Sequence, residues 1–415
     1  MISRRVFLKD GAFALVSLGF APSFLARTAF AQGRTARAKQ LIAIFQRGAV
    51  DGLSVIVPFG EAEYYRARPS IAIPRPNSGD AAAINLDGFF GFNPRMQPLK
   101  RLWDSRDLAI VHACGSPDST RSHFDAQDYM ETATPGVKST GDGWLNRYLQ
   151  AKREQDATPF RAVAVAAQLP RMLQGAAPSI ALHQLDQFGI RAGQASDKVS
   201  SLFERAYGVS PNTQLSVIGR EAFDAIKMLQ TANPSQYQPE HGADYPRSPF
   251  GQALKQIAQL TKADVGLEVA FADIGGWDTH VNQGAGQGQL AGRLDDFGNA
   301  IAALVTDLGD RMADTVVLTM SEFGRAVNEN GNRGTDHGHG NAMIVIGGGV
   351  RGGRVYGRWP GLAAANRYDG RDLAVTTDFR DVFAEVVVRH LGIDDARPVF
   401  PGYQVSPTKF PGLFG

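Results

Sequence analysis

Six short apolar runs, each bounded by turn-forming or polar residues, constrain this chain more than any other feature. They are "LIAIF" (41–45), "LAIVHA" (108–113), "AVAVAA" (162–167), "LEVAFADI" (267–274), "TVVLTM" (315–320) and "AMIVIGG" (342–348). Runs of this length and composition predict buried strands of a mostly parallel sheet. Between them, apolar residues recur at helical spacing in "GQLAGRLDDFGNAIAALVTDLGDRM" (288–312). A later stretch, "DFRDVFAEVVVRHLG" (378–392), stops at a glycine, as helices often do. Strand–helix alternation of this kind predicts one α/β domain over residues 32–415, with helices on both faces of the sheet. Residues about 180–262 carry a different pattern. "SSLFERAYG", "GREAFDAIKMLQTA" and "GQALKQIAQLTK" all have helical spacing, which predicts a helical insertion beside the sheet.

The first 31 residues stand outside that domain. Arg4 and Arg5 precede Phe7, Leu8 and Lys9, a moderately apolar stretch follows, and Ala29-Phe30-Ala31 offers a cleavage site before Gln32. This order is that of a twin-arginine export signal, and the apolar run is too short to span a bilayer. The expectation is passage through the twin-arginine translocase, a periplasmic or extracellular location, and no membrane span in the mature form. Arg4, Arg5, Lys9, Arg27 and Asp10 carry a net +3, so their removal takes the chain from +2 to −1. That balance gives no sign of a nucleic-acid partner. Cys114 is the single cysteine, so no intrachain disulfide can form.

Ligands of open α/β sheets bind beyond the carboxyl ends of the strands, so the residues that follow each run are the candidates. After "LIAIF" come Arg47 and Asp51. After "LAIVHA" come Thr120, Arg121, Ser122 and His123 at a predicted helix start. "GGWDTH" supplies Asp278 and His280, "SEFGR" supplies Glu322 and Arg325, and "GTDHGHG" supplies Asp336, His337 and His339. Asp278 and His280, two residues apart, share a side of an extended segment and can reach one cation through oxygen and nitrogen. His337 and His339 would share a side in the same way. Asp336 would then point away and orient an imidazole from behind. Ser122 reads as a helix N-cap or a nucleophile, and Thr120 is the competing hydroxyl. Arg47, Arg121 and Arg325 are candidate clamps for an anion. Cys114 and His112, inside apolar runs, read as core residues, and "GGGVRGG" (347–353) reads as a strand-to-strand turn. The G-x-S-x-G pattern of a serine esterase is absent.

Five segments, "FQRGAVDGLSVIVPFGEAEYYRARP", "TRSHFDAQDYME", "GGWDTH", "SEFGRAVNENGNRGTDHGHG" and "GGRVYGRWPGL", together resemble the exported bacterial family known as domain of unknown function 1501. That family resembles, more remotely, the alkaline phosphatase and sulfatase superfamily. The resemblance implies an alkaline-phosphatase-like fold that holds one or two divalent ions, such as zinc or manganese. It further implies hydrolysis of a small anionic ester or of a sulfated or phosphorylated polymer. It matches Asp51, Asp278, His280 and Glu322 to metal ligands and the last histidine to His337 or His339; the expectation built on it is Asp278, His280 and His339 on one ion and Asp51, Glu322 and His337 on the other. Ser122 or Thr120 would be the nucleophile, with Arg47 or Arg325 against the equatorial oxygens. One departure stands out. Where the superfamily has Asp-His, this chain has Glu322-Phe323, so an imidazole is missing unless His337 or His339 replaces it. The rival expectation is a non-catalytic exported protein of the same fold that binds a metal, a glycan or another protein.

Overall fold

A computed structural model describes residues 14–17, 38–152, 157–185 and 236–415. Its centre is a ten-stranded sheet. In spatial order the strands are β1 (Ala14–Ser17), β8 (Ser179–Leu182), β7 (Ala162–Val165), β9 (Val269–Ile274), β2 (Gln40–Gln46), β10 (Thr315–Met320), β11 (Asn341–Gly347), β6 (Leu108–Gly115) and β12 (Arg354–Tyr356). A further short strand, β13 (Thr377–Asp378), also pairs with β6. All six predicted runs are strands of this sheet. A small second sheet holds β3 (Ile56–Val57), β5 (Gly91–Phe92) and β4 (Ile84–Asn85). The mostly parallel α/β arrangement expected from the sequence is therefore present.

The burial of β2 shows why these residues form central strands. Successive side chains of a strand face opposite ways. Ile42 and Ile44 join one apolar core, and Leu41, Ala43 and Phe45 join the other. Both cores are roofed by helices. The helices Pro249–Lys262 and Gln289–Leu308 contribute Leu254, Ile257, Leu294 and Phe297 to the first core, while Trp144–Ala151 and Phe379–Glu385 contribute Trp144, Tyr148, Phe379 and Phe383 to the second. A strand with no solvent face must be apolar on both sides, which is why "LIAIF" reads as a continuous run.

Of the span 180–262, residues 186–235 lie outside the described residues. The start of the span differs from the expectation, because Ser179–Leu182 is a strand paired in parallel with β7. Its last helix, Pro249–Lys262, packs on the helix Gln289–Leu308 and on the sheet, so it is part of the domain core. Of the predicted export signal only Ala14–Ser17 falls among the described residues. Its backbone pairs antiparallel with β8.

One reversal in the sheet decides where the chemistry lies. β11 runs antiparallel to both neighbours, β10 and β6, whereas β2 pairs in parallel with β9 and β10. The connection from Ser321 to Gly340 therefore leaves and re-enters the sheet at the same edge. Among the described residues, no helix is long and apolar enough to cross a membrane.

Candidate metal centre

At that edge three imidazoles and one carboxylate meet. His337 Nε2 lies 3.0 Å from His123 Nε2 and 3.0 Å from His280 Nε2. Asp278 Oδ1 lies 2.9 Å from His280 Nε2 and 3.1 Å from His337 Nε2, and Asp278 Oδ2 lies 3.4 Å from His123 Nε2. The four residues come from three separate stretches of backbone. His123 opens the helix His123–Thr132 after β6, Asp278 and His280 follow β9, and His337 sits in the β10–β11 connection.

The protons explain what this arrangement is for. Each ring is held from behind at Nδ1 by an acceptor: Glu322 Oε1 at 2.8 Å for His123, the Arg121 carbonyl at 2.9 Å for His337, and Asp336 Oδ1 at 3.3 Å for His280. In a neutral imidazole an Nδ1 facing an oxygen acceptor carries the one ring proton, which leaves Nε2 as a lone pair. The three Nε2 atoms thus face the Asp278 carboxylate, two at Oδ1 and one at Oδ2, and the Arg325 guanidinium donates to Oδ1. Four acceptors facing one another repel unless a cation lies between them. A tetrahedral ion with bonds of about 2.0–2.1 Å would space its ligands about 3.3 Å apart. The five separations observed, from 2.9 to 3.4 Å, bracket that value. His123, Asp278 and His337 form a group able to hold a metal ion, and His280 Nε2 stands beside two of its members, His337 Nε2 and Asp278 Oδ1.

The ionisation states of Asp278, His337 and Glu322 suit a bound cation, whereas the hydrogen bond to Glu322 raises the His123 pKa, so an ion there would have to displace a proton from that ring. Burial works against the charged form of Asp278, but the hydrogen bond and charge of Arg325 outweigh it and hold the carboxyl below its usual range. Burial keeps His337 neutral by lowering its pKa. Burial likewise opposes the charge on Glu322, yet the hydrogen bond from His123 and its other donors keep it ionised.

The backbone that makes this possible depends on glycine at two positions. A Cβ on Gly338 would stand 2.3 Å from the Arg325 carbonyl carbon, and one on Gly334 would stand 2.3 Å from that of His280. No side chain fits at such distances. Main chain therefore lies directly on main chain, and Arg325 forms an isolated antiparallel bridge with His337.

Several sequence expectations meet their outcome here. Asp278, His280 and His337 are brought together, and Asp336 and Glu322 stand behind the rings. His123, which sequence reasoning left without a role, supplies the imidazole missing beside Glu322. Its ring stacks on Phe323 at 5.0 Å, and His337 lies 5.2 Å from the same phenyl ring. The visible signal was its place directly after Ser122, at a helix start beyond a strand. His339, by contrast, turns away and stacks on Tyr368 at 4.3 Å. The i, i+2 rule fails for His337 and His339 because the chain around Gly338 is not a continuous strand.

Asp51 must also be corrected. It is fully buried and holds a two-pronged ion pair with Arg68, at 2.6 and 3.0 Å, together with hydrogen bonds from Ser54 and Gln283. Glu322 has its oxygens filled by Gly48 N–H, Gln127, His123 and the Ser321 hydroxyl. The expected second ion on Asp51, Glu322 and His337 is thus not assembled. Arg47 is held by Asp273 at 2.6 Å and Glu131 at 2.9 Å, and Arg325 by Asp278 and Thr335. Neither guanidinium is a free anion clamp. Arg121 pairs with Asp372 at 2.5 Å while its carbonyl holds His337. Ser122 occupies the N-cap position without making a side-chain cap bond, and it is exposed, so its hydroxyl is not consumed by the helix. The Thr120 hydroxyl accepts from Ser122 N–H at 3.2 Å. A surface hollow of about 500 Å³ near Gln97, Arg101 and Thr306 shares no residue with the cluster.

The family model described as "Protein of unknown function (DUF1501)" matches residues 109–402, a span that contains every residue of the cluster. The chain belongs to this family. No curated protein sequence matches the chain. Among solved structures, the C-terminal periplasmic domain of EcEptC from Escherichia coli, in complex with Zn, is similar at 10% identity and a TM-score of 0.35. The match covers 75% of this chain and 73% of that one.

Proposed function

We propose that this member of the DUF1501 family is an exported, metal-dependent hydrolase of phosphate or sulfate esters. It would hold one divalent ion on His123, Asp278, His280 and His337 and act in the periplasm after twin-arginine export. The observation that carries the reading is the gathering of three Nε2 atoms on the Asp278 carboxylate, those of His280 and His337 at Oδ1 and that of His123 at Oδ2, with a proton acceptor behind each ring. A nitrogen-rich donor set with one carboxylate suits zinc first and manganese second. A divalent ion bound there supplies Lewis acidity toward an ester oxygen and lowers the pKa of the attacking hydroxyl.

The chain's own residues would do the rest. The exposed Ser122 hydroxyl, one residue before His123, is the nucleophile, and Thr120, whose hydroxyl faces Ser122 N–H, orders the turn that presents it. Arg325 holds Asp278 ionised and fixed, a positioning role in place of the anion clamp first expected. Glu322, the Arg121 carbonyl and Asp336 keep each imidazole in the tautomer that leaves Nε2 free.

The test is turnover by the purified, metal-loaded protein on a panel of aryl phosphate and aryl sulfate esters. Hydrolysis that vanishes in His337→Ala and falls at least about hundredfold in Ser122→Ala supports the proposal. Full activity in Ser122→Ala assigns the attack to water. Bound metal without turnover of any ester sinks the hydrolase reading and leaves a non-catalytic metal-binding member of the fold.

A further inference from the structure

Three large apolar side chains stand exposed among the described residues: Phe124 at 90%, Val281 at 50% and Val137 at 47%. Single exposed apolar residues need no explanation, but these are not scattered. Phe124 directly follows His123, and Val281 directly follows His280, so each has its Cα about 3.8 Å from that of a cluster histidine. Val137 lies in the loop clipped to the same helix by Lys138, whose ammonium pairs with Asp125 at 2.8 Å. The two rings that precede Phe124 and Val281 each approach the His337 ring to within 3.0 Å, so the backbone of both exposed residues borders a single centre.

Nothing in the local fold demands them. The helix His123–Thr132 buries Ala126, Tyr129 and Met130, and Phe124 is off that face. In the segment after β9, Thr279 is buried while Val281 is turned outward. A serine or lysine at either place would satisfy packing equally and would solvate better. A phenyl ring kept in water beside a site of polar donors is explained by a ligand that covers it.

We infer that Phe124 and Val281 form an apolar rim that selects esters whose alcohol part is apolar, an aryl or alkyl group, with the anionic head at the His123–Asp278–His280–His337 cluster. The inference rests on the ester-hydrolase reading and narrows its substrate class. The head is recognised by charge and metal ligation. The tail is recognised by removal of its surface and that of Phe124 from water.

The test uses non-hydrolysable probes: calorimetric titration of the zinc-loaded full chain with methyl-, butyl- and phenylphosphonate. Each methylene that is buried should tighten binding about three- to fourfold, so the butyl and phenyl probes should bind at least about tenfold tighter than methylphosphonate. In Phe124→Ser/Val281→Ser that preference should fall to within about twofold, while zinc content stays at the wild-type level. Phe124→Leu should retain most of it. Equal affinity for all three phosphonates in the wild-type chain, or an unchanged preference in the double variant, overturns the rim. The phosphonate series decides this whether or not any ester is turned over. Absence of turnover with an intact preference therefore sinks the hydrolase reading alone, and turnover without a preference sinks the rim alone.

Discussion

Asp51 and Asp278 follow β2 and β9, which lie side by side and parallel, so both carboxylates are delivered to the same edge of the sheet. From there they part. Asp51 is fully buried, and a guanidinium, a hydroxyl and an amide fill its oxygens. Asp278 has a side chain 43% exposed, takes one guanidinium, that of Arg325, and faces three imidazoles whose Nδ1 atoms are turned to other acceptors. A carboxylate at a strand end can serve as a ligand only where its hydrogen-bond donors leave it a free lone pair. Asp51 sits among donors and is already neutralised. Asp278 has one guanidinium at Oδ1 and three imidazoles around it, and can still offer an oxygen to a cation. The two are linked: Gln283 donates to Asp51 and accepts from Thr335, whose hydroxyl receives Arg325, the partner of Asp278.

The largest effect should come from breaking the buried pair. Arg68→Met leaves the Asp51 charge without its partner and should cost about 3–5 kcal/mol in unfolding free energy. Replacing both, as Arg68→Met with Asp51→Leu, should recover most of it. The metal content of the folded fraction should stay the same in both variants. Loss of metal from these variants would erase the distinction drawn between the two carboxylates.

The next effect uses a histidine of the donor-satisfied kind. His112 is buried; its Nδ1 accepts from Ala113 N–H and its Nε2 faces the Ile56 carbonyl, so the neutral ring is fully matched. Burial pushes its pKa down to about 4. A folded-state pKa below the unfolded value means that the stability is fully present above about pH 6.5 and is lost as pH falls toward about 4. Between pH 7 and pH 4 the native chain should lose up to about 3 kcal/mol more unfolding free energy than His112→Gln, measured in parallel denaturant titrations. Equal losses would show that His112 takes a proton freely in the fold.

A smaller effect is expected behind the cluster itself. Glu322→Gln keeps an oxygen for the His123 Nδ1 proton but removes the charge, so zinc affinity should fall about tenfold. A competition titration against a chelator reads this directly. An unchanged affinity would mean that His123 is not among the ligands.

Much of this architecture is legible in the chain. Continuous apolar runs mark strands buried on both faces, and "LIAIF", "TVVLTM" and "AMIVIGG" all form such strands. Direction is not legible, because an antiparallel β11 has the same composition as a parallel one. Short strands such as Ser179–Leu182 also escape, since four residues inside a helically patterned stretch carry no period of their own. In the site, Asp278 and His280 were readable because their spacing is local. His123 was not, because its role depends on Glu322, nearly two hundred residues away, arriving at its Nδ1. His339 misled for the opposite reason: its spacing from His337 suggested a shared face, and the glycine contacts that part them are set by distant backbone.

If the cluster surrounds one divalent ion, that ion can be counted by elemental analysis of the exported protein and of its His337→Ala and His339→Ala variants. About one zinc or manganese per chain is expected in the native protein and in His339→Ala, and almost none in His337→Ala. A native chain that carries no metal after incubation with either ion, or metal loss caused equally by both substitutions, would contradict that arrangement.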